Sequence, residues 1–508
     1  MQPTPTLARV LDYDGDATHV ALSVELLADT LTPISLFVAL SRARRHAFLL
    51  ESVVGGENMG RYSFVGADLR AHLRMEGGVA TLSRTSGGGL HVERQPYTDP
   101  LDVLKRELAD WRVWSDHALP RFVGGAVGTV SFDAVSSFEP RIPRPEGTGL
   151  GAPEAEFLLA DTLAAYDHAR RRVVLIAHAR LDGDREAAYR HAEDRLLALV
   201  GRLATVPRTP EAPWLLPTAA LPPVEDDLPL EPNRSPEDMM SAVTRAQAAI
   251  EAGEVFQVVP SQRLSVPVQV EPLTLYRALR AVNPSPYMFL LRLDGRSLVG
   301  ASPEVLVRLE GDELLVRPIA GTRKRGADPA EDARNAAELL ADEKELAEHR
   351  MLVDLGRDDL GRVAARGSVR VEDREHIERY AHVMHIVSDV RARLRSGLDA
   401  FDVFRACFPA GTVSGAPKIR ACELLADLEP DRRGAYAGAV GYFGVDGGLD
   451  TCIAIRTLVV DGAGVHVQAG AGVVTDSVPL NEHLECRNKA LSCLRALQLA
   501  LAREGRSA

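Results

Sequence analysis

Apolar and polar positions follow two different periods along the chain, and each period predicts a different element. Positions that repeat every second residue face one side of a strand, whereas positions three or four apart face one side of a helix. Strand patterns at 48–51 and 79–82 and a glycine-rich strand or turn at 124–130 precede a helical pattern at 184–200. Beyond this point the pattern predicts strands at 254–260, 288–293, 297–300, 304–309, 313–318, 438–445, 450–459 and 464–470, and helices at 235–252, 329–356, 375–394, 399–407, 416–427 and 479–503.

Runs of strands beside runs of helices indicate an α+β fold rather than a simple parallel βαβ array. We predict a layered α/β sandwich of antiparallel sheets flanked by helices. Residues 206–236 hold nine prolines, which remove backbone donors and block helix interiors, so this stretch is predicted to be a linker. It divides a smaller N-terminal part at 25–200 from a C-terminal part at 237–503, and the two parts are expected to pack against each other.

Composition and charge exclude several classes of protein. The 508 residues carry a formal net charge of −12, and an acidic surface repels phosphate backbones, so we expect no nucleic-acid partner. The five cysteines form no C-x-x-C pair, and their odd number suits a reducing cytoplasm better than a disulfide framework. The first residues lack a basic segment followed by an apolar one, and no run of 18 apolar residues occurs. We therefore expect a soluble cytoplasmic protein with no membrane partner.

Two predicted helices each carry a pair of glutamates three residues apart. Glu345 and Glu348 share one face of the first helix, and Glu482 and Glu485 share one face of the second. Facing helices with such pairs suit a hard cation such as Mg²⁺, which prefers carboxylate oxygens. Spacing alone nevertheless favours a solvated helix face, because charged runs usually point to water. Glu345 also suits a capping box with Asp342.

Three glycine-rich stretches, at 320–323, 410–418 and 468–472, are candidates for ligand contact. Glycine lets backbone N–H groups approach an anion closely, and Lys418 and Arg456 are candidate cations for carboxylates. Tight turns are an equally good interpretation of these glycines. The second stretch does not match a nucleotide-binding phosphate loop, because two residues separate its last glycine from the lysine.

One histidine stands out among apolar neighbours. His385 lies within the predicted helix at 375–394, where a hydrogen-bonded core histidine is commoner than a catalytic one. The G-x-S-x-G motif of serine nucleophiles is absent from the sequence. Residue patterns alone therefore leave the reaction open.

Taken in order, several motifs resemble those of the chorismate-utilising enzymes, a family that includes anthranilate, aminodeoxychorismate, isochorismate and salicylate synthases. The resemblance is dense over about 235–500 and thinner in the N-terminal part. The matching strings are GEVFQVV at 253–259, ASPE at 301–304, RPIAGTR at 317–323, KELAEHRMLVDLGRDDLGR at 344–362, HVMHIVS at 382–388, FPAGTVSGAPK at 408–418 and the stretch 470–488. So many motifs in the same order outweigh the interpretation of the glutamate pairs as a solvated helix face and of His385 as a core histidine.

The resemblance implies a site for chorismate and Mg²⁺. Glu304 is expected to be the general acid that protonates the departing C4 hydroxyl, which requires a raised pKa. His385 matches a histidine that is needed to eliminate pyruvate. The implied metal ligands, direct or through water, are Glu345, Glu348, Glu482 and Glu485. The implied substrate contacts are Gly321, Thr322, Thr412, Tyr436, Arg456, Gly470, Ala471, Gly472 and Lys489, with Arg456 and the amides of 470–472 on the enolpyruvyl carboxylate.

Three residues indicate which of the family's reactions this chain is expected to catalyse. Water-adding relatives carry a lysine general base near the position of Gln257, and a neutral amide cannot deprotonate water, so ammonia is the expected nucleophile. Ala320 stands where aminodeoxychorismate synthases often carry a nucleophilic lysine, so direct amination at C2 is expected. His385 then favours full conversion of chorismate and ammonia into anthranilate and pyruvate, the first committed step of tryptophan synthesis. An aminodeoxychorismate or aminodeoxyisochorismate synthase is the alternative.

The resemblance also implies regulation and a partner. LLES at 49–52 resembles a tryptophan-inhibition motif and NPSPYM at 283–288 its partner segment, although a strand end before a turn is a plainer interpretation of the first. The sequence has no G-x-C-x-G glutaminase loop, so a separate glutaminase subunit is implied, in a heterotetramer of two large and two small subunits. A non-catalytic tryptophan-binding subunit is the alternative from another class. The implied inhibitor contacts are Leu50, Glu51, Ser52, Pro284, Tyr287 and Met288.

Overall fold

The computed structural model describes residues 2–52, 60–86, 89–205, 223–380 and 383–505. Within these ranges long antiparallel sheets form the centre of the protein, and helices lie on their outer faces. The same ranges contain no helix that is both long enough and apolar enough to cross a membrane.

The described strands, in chain order, are β1 His19–Leu27, β2 Ala47–Glu51, β3 Tyr62–Gly66, β4 Ala71–Glu76, β5 Val79–Ser86, β6 Gly89–Pro96, β7 Val113–Trp114, β8 Gly125–Val130, β9 Ala155–Ala160, β10 Thr162–Asp167, β11 Arg172–Arg180, β12 Glu231–Pro232, β13 Gln257–Val258, β14 Ser261–Val266, β15 Tyr287–Arg292, β16 Arg296–Ser302, β17 Val305–Glu310, β18 Glu313–Val316, β19 Ile319–Lys324, β20 Arg370–Arg379, β21 Val383–Arg393, β22 Gly415–Ala416, β23 Ala439–Gly444, β24 Leu449–Ile453, β25 Thr457–Asp461 and β26 Val465–Gly470.

The described α-helices are α1 Leu7–Leu11, α2 Pro33–Ser41, α3 Pro100–Leu108, α4 Val135–Phe138, α5 Arg185–Ala204, α6 Val224–Asp227, α7 Pro236–Glu251, α8 Pro272–Val282, α9 Pro329–Ala341, α10 Glu343–Gly361, α11 Ala400–Cys407, α12 Gly411–Ser414, α13 Lys418–Leu428 and α14 Pro479–Arg503. A short 3-10 helix spans Phe132–Ala134.

Each of the two long sheets contains strands from both sides of the proline-rich stretch. The first follows the order β12-β14-β26-β25-β16-β15-β2-β3-β10-β11-β1-β7, and the second β19-β21-β18-β17-β24-β23-β8-β9-β4-β5-β6, with β20 added on β21. Met288 pairs with Glu51 where β15 meets β2, and Gly441 pairs with Gly128 where β23 meets β8. Hydrogen bonding is therefore continuous across the N-terminal and C-terminal parts, while the domain limits at 25–200 and 237–503 stay a prediction.

Three apolar clusters define the layers. Phe48 and Phe289 of the first sheet meet Val127 and Tyr442 of the second in a cluster between the sheets. A second cluster joins the other face of the first sheet to α2, α5, α8 and α14. A third joins the other face of the second sheet to α7, α10, α11 and α13. The order helices, sheet, sheet, helices confirms the predicted α+β sandwich, because each sheet buries both of its faces.

The predicted helix at 375–394 is wrong, since this segment forms β20 and β21. The β21 strand pairs with β18 and β19 along one edge and with β20 along the other. Met384, Ile386 and Val390 alternate along it and are fully buried. The helical interpretation failed because an apolar run with several β-branched residues fits both periods, and only ladder partners distant in sequence decide between them.

Other predicted elements differ at their ends. The predicted helix at 329–356 is two helices, because Asp342 interrupts it and caps α10 by accepting from the amides of Lys344 and Glu345 at 3.1 and 3.2 Å. Ser235 caps α7 through a capping box with Asp238. The predicted strand at 254–260 is reduced to two residues of β13. Most of the predicted linker, residues 206–222, lies outside the described residues.

Candidate active site

Glu304 lies between β16 and β17 and faces a cavity. Its carboxylate accepts a hydrogen bond from Thr412 Oγ1 at 3.0 Å, and its backbone carbonyl accepts from the Ile453 amide at 3.0 Å. Burial raises the pKa of Glu304 to about 7, against the opposing effects of the Thr412 hydrogen bond and the Lys489 charge. This carboxyl group can therefore hold a proton near neutral pH. Other lining residues are Arg317, Leu352, Leu355, Asp359, Cys407 and Gly411.

His385 lies on β21 directly opposite Thr322 of β19. Its Nδ1 is 2.9 Å from the Gly321 carbonyl oxygen and 3.1 Å from Thr322 Oγ1. A carbonyl oxygen can only accept, so Nδ1 carries the proton and Nε2 is the basic nitrogen. Burial lowers the pKa of His385, and the charge of Arg456 lowers it further. The imidazole is therefore neutral at pH 7 and suited to act as a base.

The four predicted metal ligands lie on two helices whose charges influence each other. Burial raises the pKa of Glu348, and the charges of Glu345 and Glu485 raise it further. Burial also raises the pKa of Glu482, with a further contribution from Glu485. Glu345 accepts from Arg323 at 3.2 Å. The acids of α10 and α14 thus repel one another across the gap between the helices.

The donor set is made of carboxylates, which are the ligands that a hard divalent cation prefers. A cation between α10 and α14 would relieve the repulsion that raises the pKa values of Glu348 and Glu482. Among the described residues, however, no three His, Cys, Asp or Glu side chains are already gathered as a metal cluster. The four glutamates therefore suit Mg²⁺ as ligands. Substrate oxygens and water would complete the coordination shell of the ion.

Two of the predicted substrate contacts, Gly470 and Arg456, lie beside Lys489 of α14. The Lys489 ammonium donates to the Gly470 carbonyl at 3.1 Å and pairs with Glu485 at 2.7 Å, and the Lys489 carbonyl accepts from Arg456. A Cβ atom at Gly470 would lie 2.8 Å from the Tyr436 hydroxyl. Glycine is therefore required where this backbone approaches the tyrosine.

Gln257 is buried beside Gly472 of the same backbone segment. A Cβ atom at Gly472 would lie 2.7 Å from its Nε2, and the intervening Ala471 is fully buried. The Oε1 atom of Gln257 is buried and has no hydrogen-bond partner among the described residues. An N–H donor that entered here would satisfy it.

Lys418 differs from the role that the sequence suggested for it. Its ammonium donates to Asp359 at 2.7 Å and to the Cys407 carbonyl at 3.1 Å, and it is largely buried. The charge therefore neutralises an acid of α10 within the protein. The other candidate cation, Arg456, donates to the backbone carbonyl of Lys489, and its role towards a carboxylate stays a prediction.

A second cavity lies between the two sheets, beside β2 and β15 of the first sheet. It is lined by Leu50, Glu51, Ser52, Pro286, Tyr287 and Met288, among others. Five of the six predicted inhibitor contacts therefore share one cavity, whereas Pro286 takes the place expected for Pro284. Glu51 is held by Tyr276 at 2.7 Å and by Arg280 at 2.8 Å.

Sequence reasoning missed the polar wall of this second cavity. Asp450 accepts from the Tyr287 hydroxyl at 2.8 Å and pairs with Arg308 at 3.1 Å and Arg121 at 3.5 Å. All four residues line the cavity. Tyr287 is among the predicted inhibitor contacts, but no local signal identifies Asp450, Arg308 and Arg121, because they are spread over more than half of the chain and meet only where the two sheets face each other.

With this geometry in place, comparison with known proteins decides the family. A family model described as chorismate binding enzyme matches residues 46–495. The chain belongs to the chorismate-binding enzyme family. It is 41% identical over 499 residues to anthranilate synthase component 1 of Acetivibrio thermocellus, covering 98% of this chain and 99% of that protein. It is 45% identical over 488 residues to the protein of the same name from Streptomyces coelicolor, covering 95% and 90%.

A solved structure supports the same assignment. Anthranilate synthase component I from Streptococcus pneumoniae TIGR4 matches with a TM-score of 0.73 and 33% identity, over 95% of this chain and all of that one. Membership of the chorismate-binding enzyme family confirms the resemblance carried by the motifs. The match begins before β2 and ends within α14, so it includes both cavities. The roles of single residues in this chorismate-binding enzyme stay predictions.

Proposed function

We propose that this chain is the chorismate-converting component of an anthranilate synthase, which forms anthranilate, pyruvate and water from chorismate and ammonia. The observation that carries the proposal is the cluster around Lys489. Its ammonium contacts Glu485 and Gly470 and acts on the charge of Glu304, and its backbone carbonyl accepts from Arg456. Such a cluster supplies an acid, metal-binding carboxylates and cations for a dianionic substrate. Relatives of nearly the same length that are 41–45% identical carry the same name.

Chorismate carries two carboxylates, and the site offers different partners for them. Arg456 and the amides of 470–472 suit the enolpyruvyl carboxylate. Glu345, Glu348, Glu482 and Glu485 would hold Mg²⁺, which when bound neutralises the ring carboxylate and polarises the ring. Gly321, Thr322, Thr412 and Tyr436 complete the walls. Lys489 balances the acids of α14 until the substrate and the ion are in place.

The first chemical step replaces a hydroxyl by an amine. Ammonia attacks C2 of the ring, the double bonds shift, and the C4 hydroxyl leaves as water with the proton of Glu304. Gln257 cannot remove a proton from water, and its buried amide oxygen suits an N–H donor such as ammonia. Ala320 is buried on β19 and has no amine that could compete as nucleophile. These features support amination at C2 over the aminodeoxychorismate alternative.

The second step forms the aromatic ring. A base removes the proton at C2 while the C–O bond to the enolpyruvyl group breaks, so that pyruvate leaves. His385 suits this role because it is neutral and its Nδ1 is held by the Gly321 carbonyl.

His385→Gln is therefore expected to consume chorismate while anthranilate formation falls by roughly 10²-fold, because general base catalysis is lost. Chromatography of the products with parallel anthranilate fluorescence measures both quantities. His91→Gln, on the exposed strand β6, is the matched control. Full anthranilate production by His385→Gln would remove His385 from the mechanism.

Ammonia needs a source, and the relatives are named as one component of a synthase. We propose a separate glutaminase subunit as the partner, in a heterotetramer of two large and two small subunits. Without it, the chain should use free ammonium. The cytoplasmic location that the cysteine content favours also stays a prediction.

The second cavity, beside β2 and β15, is proposed to bind tryptophan as a feedback inhibitor. Its aliphatic and aromatic walls suit an indole, and Asp450 and the arginines suit the charged groups of an amino acid. Inhibition through this cavity would be allosteric, because the cavity and the Glu304 site are distinct.

Ser52→Phe is expected to raise the tryptophan concentration for half-inhibition by about tenfold or more, equivalent to ~1.4 kcal/mol, since the larger side chain fills the cavity. Anthranilate formation without tryptophan should be nearly unchanged. Ser396→Phe, on an exposed turn, is the control. Unaltered inhibition of Ser52→Phe would place the effector elsewhere.

The direct test of the proposed function is anthranilate fluorescence from the purified chain with chorismate, ammonium and Mg²⁺. Anthranilate that forms and is suppressed by tryptophan supports the synthase and its regulation. Chorismate consumed without anthranilate would favour an aminodeoxychorismate or aminodeoxyisochorismate synthase. Chorismate left untouched would favour a non-catalytic tryptophan-binding subunit.

A further inference from the structure

A buried ion pair lies behind the predicted chorismate contacts. Arg433 is 3% exposed and forms a two-pronged pair with Glu429, in which both N–O distances are 2.7 Å. The guanidinium carbon lies 4.4 Å from the ring centre of Phe132 and 5.4 Å from that of Tyr436. An arginine is almost never buried this completely without a partner. Glu429 explains how the charge of Arg433 is compensated, but it does not explain why a charged pair is buried at this place.

The remaining N–H groups of Arg433 hold two backbone segments. Nη1 donates to the Val413 carbonyl at 2.7 Å, and Nη2 donates to the Val259 carbonyl at 2.6 Å. Val413 follows Thr412, the partner of Glu304, and Val259 lies two residues beyond Gln257. One side chain therefore bridges these two segments, in addition to the backbone hydrogen bonds between β13 and β22.

Glu429 extends the same connection to a third segment. Its Oε1 accepts from the amide and the hydroxyl of Ser261 at 2.8 and 2.7 Å. Ser261 pairs with Gly470 where β14 meets β26, and its hydroxyl also accepts from Gln468 at 2.8 Å. The strand end that carries Gly470 is thereby tied to the ion pair.

We propose that Arg433 and Glu429 are a positioning pair that sets the relative places of the segments carrying Gln257, Thr412 and Gly470 around chorismate. This role rests on the proposed function, because it concerns where that substrate lies. Neither residue lines the cavity beside Glu304, so the pair acts through the three segments and does not touch the reacting atoms. Small displacements matter here, since a shift of about 1 Å costs on the order of 10²-fold in rate.

The test compares anthranilate kinetics and thermal unfolding of the wild type, of Arg433→Met and of the double variant Glu429→Gln with Arg433→Met. The single variant leaves the carboxylate of Glu429 buried without its partner, which destabilises the fold. The double variant removes both charges and keeps an amide oxygen for Ser261. We expect its Tm to return towards that of the wild type.

Activity is expected to behave differently from stability in the double variant. KM for chorismate should stay raised about tenfold and kcat/KM lowered by on the order of 10²-fold, because the hydrogen bonds to Val413 and Val259 are still missing. Arg357→Met is the matched control, since it removes an exposed ion pair with Asp354 on α10. It should leave both Tm and KM unchanged.

Each other result overturns the proposal. A double variant with wild-type KM and kcat/KM shows that the three segments keep their places without Arg433. A double variant as unstable as the single one shows that the pair serves the fold alone. A wild-type chain that forms no anthranilate overturns the proposed function itself and the positioning role with it, so the two failures are distinguishable.

Discussion

Glu304→Gln is expected to lower kcat for anthranilate formation by roughly 10²–10⁴-fold, the usual contribution of general acid catalysis. Glutamine keeps the size of the side chain and can still accept from Thr412, but it has no proton to give to the departing hydroxyl. KM for chorismate should change little, because the carboxylates of the substrate are held by other residues. Steady-state kinetics with saturating Mg²⁺ and ammonium measures both constants.

The role of Glu304 as an acid also predicts how kcat/KM depends on pH. Burial raises the pKa of Glu304 to about 7, so the protonated form, which is the active one, is lost as pH rises through about 7. We therefore expect the kcat/KM of the wild type to fall above this pH and the residual activity of Glu304→Gln to lack that decline. A decline that persists unchanged in the variant would assign it to another group.

Stability should also fall as pH rises. The pKa of Glu304 is raised from 4.5 to about 7 on folding, so the folded protein holds this proton more tightly than the unfolded chain does. Stability is then lost as pH rises between these two values, because the unfolded chain ionises this carboxyl group while the folded protein keeps it protonated. Glu304→Gln should accordingly unfold no more easily than the wild type at pH 8. Glu310→Gln, at the exposed end of β17, is the control for both measurements.

Glu348→Gln is expected to lower turnover by about 10²-fold at a fixed, limiting Mg²⁺ concentration, because a charged metal ligand is lost. Much of the loss should be recovered at high Mg²⁺ if affinity for the ion is what changed. A titration of activity against Mg²⁺ checks this. Turnover that stays metal-dependent and unchanged in the variant would falsify the assignment of the α10 acids.

The metal-free protein offers an independent readout of the same site. Burial and the neighbouring charges of Glu345 and Glu485 raise the pKa of Glu348, so its charge is unfavourable without a cation. Removing that charge should leave the Tm of the metal-free protein unchanged or slightly raised, while the increase in Tm on adding Mg²⁺ should shrink. Asp354→Asn is the control, because its side chain is on the same helix but exposed and paired with Arg357.

Most of the helices and strands that local spacing predicted are present, including α14, because periods of two and of three to four residues report which face is buried. Ordered motifs identified the family, because residues such as Glu304 and His385 lie within short sequence motifs that can be recognised without knowledge of the fold. The segment at 375–394 was assigned to the wrong element for the same physical reason. Its apolar run fits two periods, and the choice depends on strands that lie far away in the sequence.

Only the tertiary structure decided which of these residues act together. The acids of α10 and α14 influence one another although more than 100 residues separate them. Glu304 acquires its raised pKa from burial in a cavity that distant residues such as Leu352 and Cys407 help to line. Asp450 and the ion pair of Arg433 with Glu429 carried no local signal, because an isolated charge in a sequence usually faces water. Electrostatic coupling and burial are properties of distance in space, and distance in space is set by how the two sheets bring remote segments together.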